Sequence, residues 1–172
     1  KRDLDGLIRK LDGYFKERII GETTLPIQIL KNKLKSLPNG DVLLPLLDNE
    51  FDIRIKVGLA HGDMTLSNMI FTDEIYLIDF LDSYIESPTM DLVKLRQDTH
   101  LHWSLNMVSS VTDLSKIKLG LSYIDKWLVE NYPIEKYELL QIINLQRIYP
   151  YTNDIEIKKY LQTNINKLCE LL

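Results

Sequence analysis

Two short stretches decide the fold: residues 61–68 read HGDMTLSN, and residues 75–80 read IYLIDF. Between them, the apolar MIF of residues 69–71 and the polar TDE of residues 72–74 predict a strand and a tight connection, so that residues 69–78 form a β-hairpin. The loop of residues 61–68 would precede this hairpin, and Asp79 would stand at the end of its second strand. The sequence therefore predicts polar side chains gathered at one end of a small hairpin.

The residue types in these two stretches are those that phosphoryl transfer needs. An aspartate can hydrogen-bond an attacking hydroxyl and take its proton, which predicts Asp63 as the catalytic base. Magnesium prefers hard oxygen ligands and borrows others from phosphates and water, so the amide of Asn68 and the carboxylate of Asp79 would suffice to hold it. His61 is predicted to orient the loop through hydrogen bonds to the backbone, and not to act as a base.

Together with the pair Asp91-Leu92, these motifs resemble the signature of the aminoglycoside phosphotransferase and choline kinase family, small-molecule relatives of the protein kinases. The predicted helices before and after the motifs fit that family's C-terminal lobe in number and order. The resemblance implies that Asp63 is the base, that Asn68 and Asp79 bind Mg²⁺, and that Asp91 steadies the loop together with His61. It further implies ATP as the phosphoryl donor and the hydroxyl of an amino alcohol, sugar or amino sugar as the acceptor.

Two local features separate the chain from protein kinases. Those enzymes usually carry a lysine two residues after the catalytic aspartate, whereas this chain has Thr65. Only eleven residues (80–90) separate Asp79 from Asp91, which is too few for a long activation segment. A small acceptor is therefore favoured over a peptide.

The nucleotide-binding half of such an enzyme is not visible in the sequence. The seven glycines stand apart from one another, and no G-x-G-x-x-G or Walker-type run occurs. Because the chain starts at Lys1 and not at a methionine, we expect it to be a C-terminal catalytic lobe whose own N-terminal lobe lies upstream. On this hypothesis the isolated 172 residues bind nucleotide weakly and are inactive.

The predicted fold class is mainly α with a small β-hairpin, an α+β fold that forms the C-terminal lobe of a protein-kinase-like fold, with residues 1–172 as a single domain. Apolar spacing predicts one further strand, over residues 51–57, with a helix as the alternative for this segment. Ser87 and Pro88 are predicted to start the helix after the hairpin. Helices are predicted at residues 3–20 (ended by Gly21), 26–37, from Pro88 to about Met107, 114–132, 134–148 and 154–171.

Composition excludes some classes of partner. A net charge of −4 and a pI near 5.4 argue against a nucleic-acid binder, which would normally carry a basic stripe. No apolar run approaches the ~20 residues of a membrane span, so we expect no membrane partner. A single cysteine, Cys169, allows no internal disulfide. The cytoplasm, where ATP is found, is the expected location.

The acceptor site is the least defined part of the sequence. Asp82 and Glu86 follow Asp79 closely, and Trp103 falls on the predicted helix after Asp91, so by position these three are candidates for substrate binding. Trp103 is equally interpretable as a core residue. If Trp103 or Tyr84 faced the site beside these acids, a cationic acceptor would fit, whereas a neutral sugar or polyol would need hydrogen bonds alone.

Two other functions are compatible with parts of the pattern. The chain could be a kinase-like binding or regulatory module without catalysis, although it keeps all three residues of the predicted chemistry. It could also be a metal-dependent phosphohydrolase that uses Asp63 and Asp79, but such a site would need more acidic ligands than the loop offers.

Overall fold

A computed structural model describes residues 2–48, 51–107 and 113–172, and within these ranges the chain is mainly helical with two small two-stranded sheets, an α+β fold. The helices are α1 (Arg2–Arg18), α2 (Ile27–Lys35), α3 (Gly40–Leu43), α4 (Pro88–Thr99), α5 (Leu114–Asn131), α6 (Tyr137–Ile148) and α7 (Ile155–Cys169). The strands are β1 (Ile19–Leu25), β2 (Ile53–Gly58), β3 (Met69–Phe71) and β4 (Ile75–Leu77). Short 3₁₀ turns occupy Leu44–Leu47, Leu66–Asn68, Trp103–Met107 and Tyr149–Tyr151.

The chain divides into two compact units. The first comprises Lys1–Glu22 and Ile55–Ile134, and the second comprises Thr23–Arg54 and Glu135–Leu172. The chain passes from the first unit to the second within β1 and returns within β2. The single domain predicted for residues 1–172 stays a prediction.

The first unit is built on a core shared by three helices and the hairpin. Side chains from α1, α4 and α5 meet Met64 of the loop and Met69 of β3 in one apolar cluster. Met64 is only 1% exposed, so burial of its side chain anchors the middle of the loop. The other buried members of the cluster are Leu11, Phe15, Leu92, Leu95, Ile124, Leu128 and Tyr132.

The second unit is helical, and α6 packs against α7 and α2 within it. Helix α6 is buried along nine of its twelve residues, which is why its apolar residues do not follow a one-sided pattern. The fully buried apolar residues of these three helices are Leu30, Leu34, Leu139, Leu140, Ile142, Ile143, Leu145 and Leu161.

The local signals of the sequence are largely confirmed. Strands β3 and β4 pair antiparallel, with Met69 opposite Leu77 and Phe71 opposite Ile75, which is the predicted hairpin. Helix α4 starts as predicted, because Pro88 is its first residue and the Ser87 side chain accepts a hydrogen bond from the Thr89 N–H at 3.1 Å.

The predicted end of α1 is wrong. The helix ends at Arg18 rather than at Gly21, and Gly21 lies inside β1, a strand that the sequence does not predict. β1 pairs with β2, so the structure has two small sheets instead of one hairpin. The run IIGETTL of residues 19–25 is rich in β-branched residues, which favour an extended backbone over a helix.

The predicted end of α4 is also wrong. The helix stops at Thr99 instead of continuing to about Met107, and His102 adopts a left-handed conformation with φ of 61°. The Asp98 side chain accepts hydrogen bonds from the Ser104 N–H at 2.8 Å and the Ser104 hydroxyl at 2.6 Å. These bonds stabilise a turn that competes with further helix.

No helix in the described part of the chain combines the length and apolarity that a membrane span requires.

Candidate active site

Asp63 lies at the centre of the loop that connects β2 to β3, and both of its carboxylate oxygens are hydrogen-bonded. Oδ1 accepts from the Lys94 ammonium at 2.8 Å, and Oδ2 accepts from the Asn68 side-chain Nδ2 at 3.0 Å. The same Nδ2 also donates to the Asp63 backbone carbonyl at 2.9 Å. The structure therefore brings two of the sequence-predicted site residues, Asp63 and Asn68, into direct contact.

Asp91 holds the beginning of the loop. Its carboxylate is completely buried and accepts hydrogen bonds from the His61 N–H at 2.7 Å and the Gly62 N–H at 2.8 Å, one on each oxygen. Burial raises the pKa of Asp91 above its ordinary value, and the two backbone hydrogen bonds offset part of that rise. Asp91 therefore binds the first two residues of the loop through both of its oxygens.

Asp98 holds the other end of the loop, and the sequence reasoning missed it. Its Oδ2 accepts a hydrogen bond from the Leu66 N–H at 2.6 Å, while Oδ1 binds Ser104. Lys94 was missed as well. Helix α4 is buried at every residue except Lys94, so its charged residues need partners inside the protein, but this burial is a property of the fold and gives no signal in the sequence.

His61 packs inside the loop. Its ring stacks on Phe80 with centroids 4.2 Å apart, its Nδ1 accepts from the Asp63 N–H at 3.3 Å, and its carbonyl accepts from the Leu81 N–H at 3.1 Å. The residue is 1% exposed. These contacts join the loop to the segment after β4, and the orienting role of His61 stays a prediction.

Gly62 is required by a close approach of two backbone segments. It has φ of 85°, and a Cβ at this position would lie 1.7 Å from the Leu81 carbonyl oxygen. An L-residue would have to adopt a rare backbone conformation and displace residue 81 as well. The turn before Asp63 therefore depends on glycine.

Gly62→Ala should lower the free energy of unfolding by at least ~2 kcal/mol, since it adds backbone strain to the clash with Leu81. Gly13→Ala is the matched control. Gly13 lies inside α1, and no described atom outside the backbone of that helix comes within 4 Å of the place that an alanine methyl would take. This variant should therefore gain ~0.5–1 kcal/mol. Urea unfolding of both variants measures the difference, and equal effects at the two positions would contradict the backbone contact.

Asp79 lies two residues after the end of β4, and its side chain is exposed. The N–H of Ile78 donates to the Asn68 carbonyl at 3.1 Å, so the backbone that leads into Asp79 runs beside Asn68. Asp79 itself adopts a left-handed conformation with φ of 61°, which aspartate tolerates better than most residues. The backbone that leads into Asp79 therefore lies next to Asn68, the other predicted magnesium ligand.

A cavity of about 320 Å³ opens next to the loop. Residues 58–62 form one wall, and the segment after Asp79 forms the other, with Asp82 and Glu86 among its lining residues. Trp103 does not line this cavity: it lies in the 3₁₀ turn after α4 and is 8% exposed, so it is part of the core. A second cavity, of about 450 Å³, lies between α1 and the hairpin and is lined by residues that include Tyr14, Arg18, Met64 and Tyr76.

The buried carboxyl of Asp98 should make stability depend on pH. Burial raises its pKa above the ordinary 3.8, and hydrogen bonds from Ser104 and Leu66 offset part of the rise. A carboxyl whose folded pKa is raised stabilises the fold fully below 3.8, and this contribution is lost as the pH rises through the folded pKa. The advantage of wild type over Asp98→Asn in unfolding free energy should therefore shrink as the pH rises above 3.8. Urea unfolding at a series of pH values measures it, and an advantage that grows with pH would contradict the assignment.

Within the described ranges, no group of three or more His, Cys, Asp or Glu side chains is placed to hold a metal ion. A cation beside Asn68 would therefore depend on amide oxygen, on Asp79 and on oxygens from a bound ligand.

No protein-family model, curated protein or solved structure matches the chain.

Proposed function

We propose that this chain carries the catalytic residues of an ATP- and Mg²⁺-dependent phosphotransferase that acts on a hydroxyl of a small molecule. The observation that carries the proposal is the Asp63 carboxylate, which Lys94 and Asn68 hold from either side within a loop tied down by Asp91. Phosphoryl transfer depends mainly on positioning and charge neutralisation, so a rigid acceptor for one proton is the protein group that it needs most.

Asp63 is the base in this proposal. A carboxylate oxygen accepts two hydrogen bonds, so each oxygen keeps a lone pair after binding Lys94 or Asn68. The acceptor hydroxyl would bind one of these lone pairs and lose its proton to Asp63 while its oxygen bonds to the γ-phosphorus of ATP. The bond from that phosphorus to the bridging oxygen breaks, and ADP leaves.

The donor atoms near the loop fit magnesium. Both hydrogen bonds described for the Asn68 side chain use its Nδ2, which leaves the Oδ1 atom for a cation. Asp79 adds an exposed carboxylate from the neighbouring backbone position. These are hard oxygen ligands, which Mg²⁺ prefers, and an ion held by them would neutralise negative charge on the nucleotide.

The cavity beside the loop has the size for a small acceptor, although Asp63 is not among its lining residues. Its volume of about 320 Å³ lies at the lower end of the range for small-molecule sites. Asp82 and Glu86 provide acceptors for hydroxyl or ammonium groups along one wall. Amino alcohols, sugars and amino sugars have the size and the polar groups for such a site.

The test uses the full-length protein. ADP release from MgATP would be measured over a panel of amino alcohols, amino sugars and polyols, with Asp63→Asn as the control. We expect release that requires an acceptor, disappears on chelation of Mg²⁺ and is lost in the variant. Acceptor-independent rates across the panel would contradict the proposal, and metal-dependent phosphate release without nucleotide would favour a phosphohydrolase.

A further inference from the structure

Helix α4 presents three charged residues to the loop along one face. Asp91, Lys94 and Asp98 are spaced i, i+3 and i+7, which places them on the same side of a helix. They contact the loop in chain order: Asp91 at residues 61 and 62, Lys94 at residue 63, and Asp98 at residue 66. The central member of this row therefore meets the proposed base.

The ion pair between Lys94 and Asp63 differs from the surface pairs of the chain. The Lys94 side chain is 14% exposed and that of Asp63 is 23% exposed, whereas the Lys126–Glu130 pair is 75% and 59% exposed. An ammonium removed this far from water needs an anionic partner, and Asp63 supplies it at 2.8 Å. Arg96 forms a similarly buried pair, but its partner Asp125 belongs to α5 and not to the loop. Lys94 is thus placed to act on the base itself.

We propose that Lys94 is a positioning residue for phosphoryl transfer, which fixes the plane of the Asp63 carboxylate before the acceptor hydroxyl arrives. The inference rests on the proposed function. The terminal torsion of an aspartate is broad, so a carboxylate held only by Asn68 could still turn. The Lys94 ammonium binds Oδ1 of Asp63 and the Asn68 amide binds Oδ2, so both carboxylate oxygens are held at once.

The orientation of Asp63 matters most when the proton moves, because the carboxylate must then point at the hydroxyl. Binding of the nucleotide and the acceptor does not use this carboxylate plane to the same extent. Loss of Lys94 should therefore lower kcat and leave KM nearly unchanged.

The first experiment compares Lys94→Met, Lys94→Arg and the control Lys126→Met in the full-length protein. We expect Lys94→Met to lower kcat by about 10²-fold with KM for ATP and acceptor within about threefold of wild type. Lys94→Arg keeps the charge and should recover at least about tenfold of that loss. Lys126, on the exposed face of α5, should be replaceable without effect.

A second experiment separates positioning from simple structural support. If Lys94 acts through Asp63, the double variant Asp63→Asn/Lys94→Met should have the same kcat as Asp63→Asn alone. Melting curves of each variant report folding, and a Lys94→Ala variant rescued by added propylammonium supplies a readout that a purely structural role would not give.

Three results would each overturn the role of Lys94 while leaving phosphoryl transfer intact. The first is a kcat of the double variant that is lower than that of Asp63→Asn by the full factor lost in Lys94→Met. The second is an unchanged kcat in Lys94→Met. The third is a kcat of Lys94→Arg as low as that of Lys94→Met. A wild-type protein that releases no acceptor-dependent ADP would overturn the proposed function, and the role of Lys94 with it.

Discussion

Asp63→Asn should lower kcat for phosphoryl transfer by ~10²–10⁴-fold in the full-length protein, with little change in the dissociation constant for nucleotide. The amide has the shape of the carboxylate but cannot take the acceptor's proton. It also removes the negative charge that faces Lys94 at 2.8 Å. Steady-state ADP release and a nucleotide-binding titration measure the two quantities separately.

The control for this variant is Asp73→Asn, which makes the same chemical change on an exposed residue of the hairpin turn. Its kcat should equal that of wild type, because the contact described for Asp73 uses its backbone carbonyl, which accepts from Lys10. If Asp63→Asn turned over as fast as Asp73→Asn, Asp63 could not be the base.

Asp91→Ala should lower the free energy of unfolding by ~3 kcal/mol, one of the largest effects expected for a single side chain outside the apolar core. The change leaves the N–H groups of His61 and Gly62 without acceptors in a fully buried position. Burial raises the pKa of Asp91, so keeping this carboxylate charged at neutral pH costs free energy that its removal would recover. The expected loss of ~3 kcal/mol is the cost of the two unpaired N–H groups minus this recovered free energy.

Asp113→Ala is the comparison for Asp91→Ala. Asp113 is an exposed helix cap whose side chain accepts a backbone hydrogen bond from the Lys116 N–H at 3.0 Å. Its loss should cost ~1 kcal/mol. Urea unfolding at pH 7 measures both variants, and an Asp91 effect no larger than that of Asp113 would show that the loop does not depend on its buried acceptor.

The parts of the fold that the sequence predicts correctly have local signals. Turn residues at 72–74 between two short apolar runs indicate the hairpin, and Ser87 followed by Pro88 indicates the start of α4. The contact between Asp63 and Asn68 is also local, since five positions separate them and a 3₁₀ turn brings the amide back.

The parts that the sequence does not predict depend on residues far apart in the chain. Periodicity reports that a helix is buried, but it does not report which buried charges meet, so Lys94 and Asp98 could not be assigned to the loop. The strand β1 was missed because the apolar spacing of α1 continues into Ile19. The early end of α4 depends on the side chain of Asp98 binding Ser104, which helix propensity does not describe.

The contacts between α4 and the loop span 29 to 32 residues of sequence, and this spacing has a consequence for how the protein folds. The loop cannot take its final shape until the hairpin has closed and α4 has formed, because its acceptors and its ammonium are on that helix. Chain entropy is lost in this closure before any of these bonds forms. We therefore expect the loop to assemble late in folding, together with the core of the first unit.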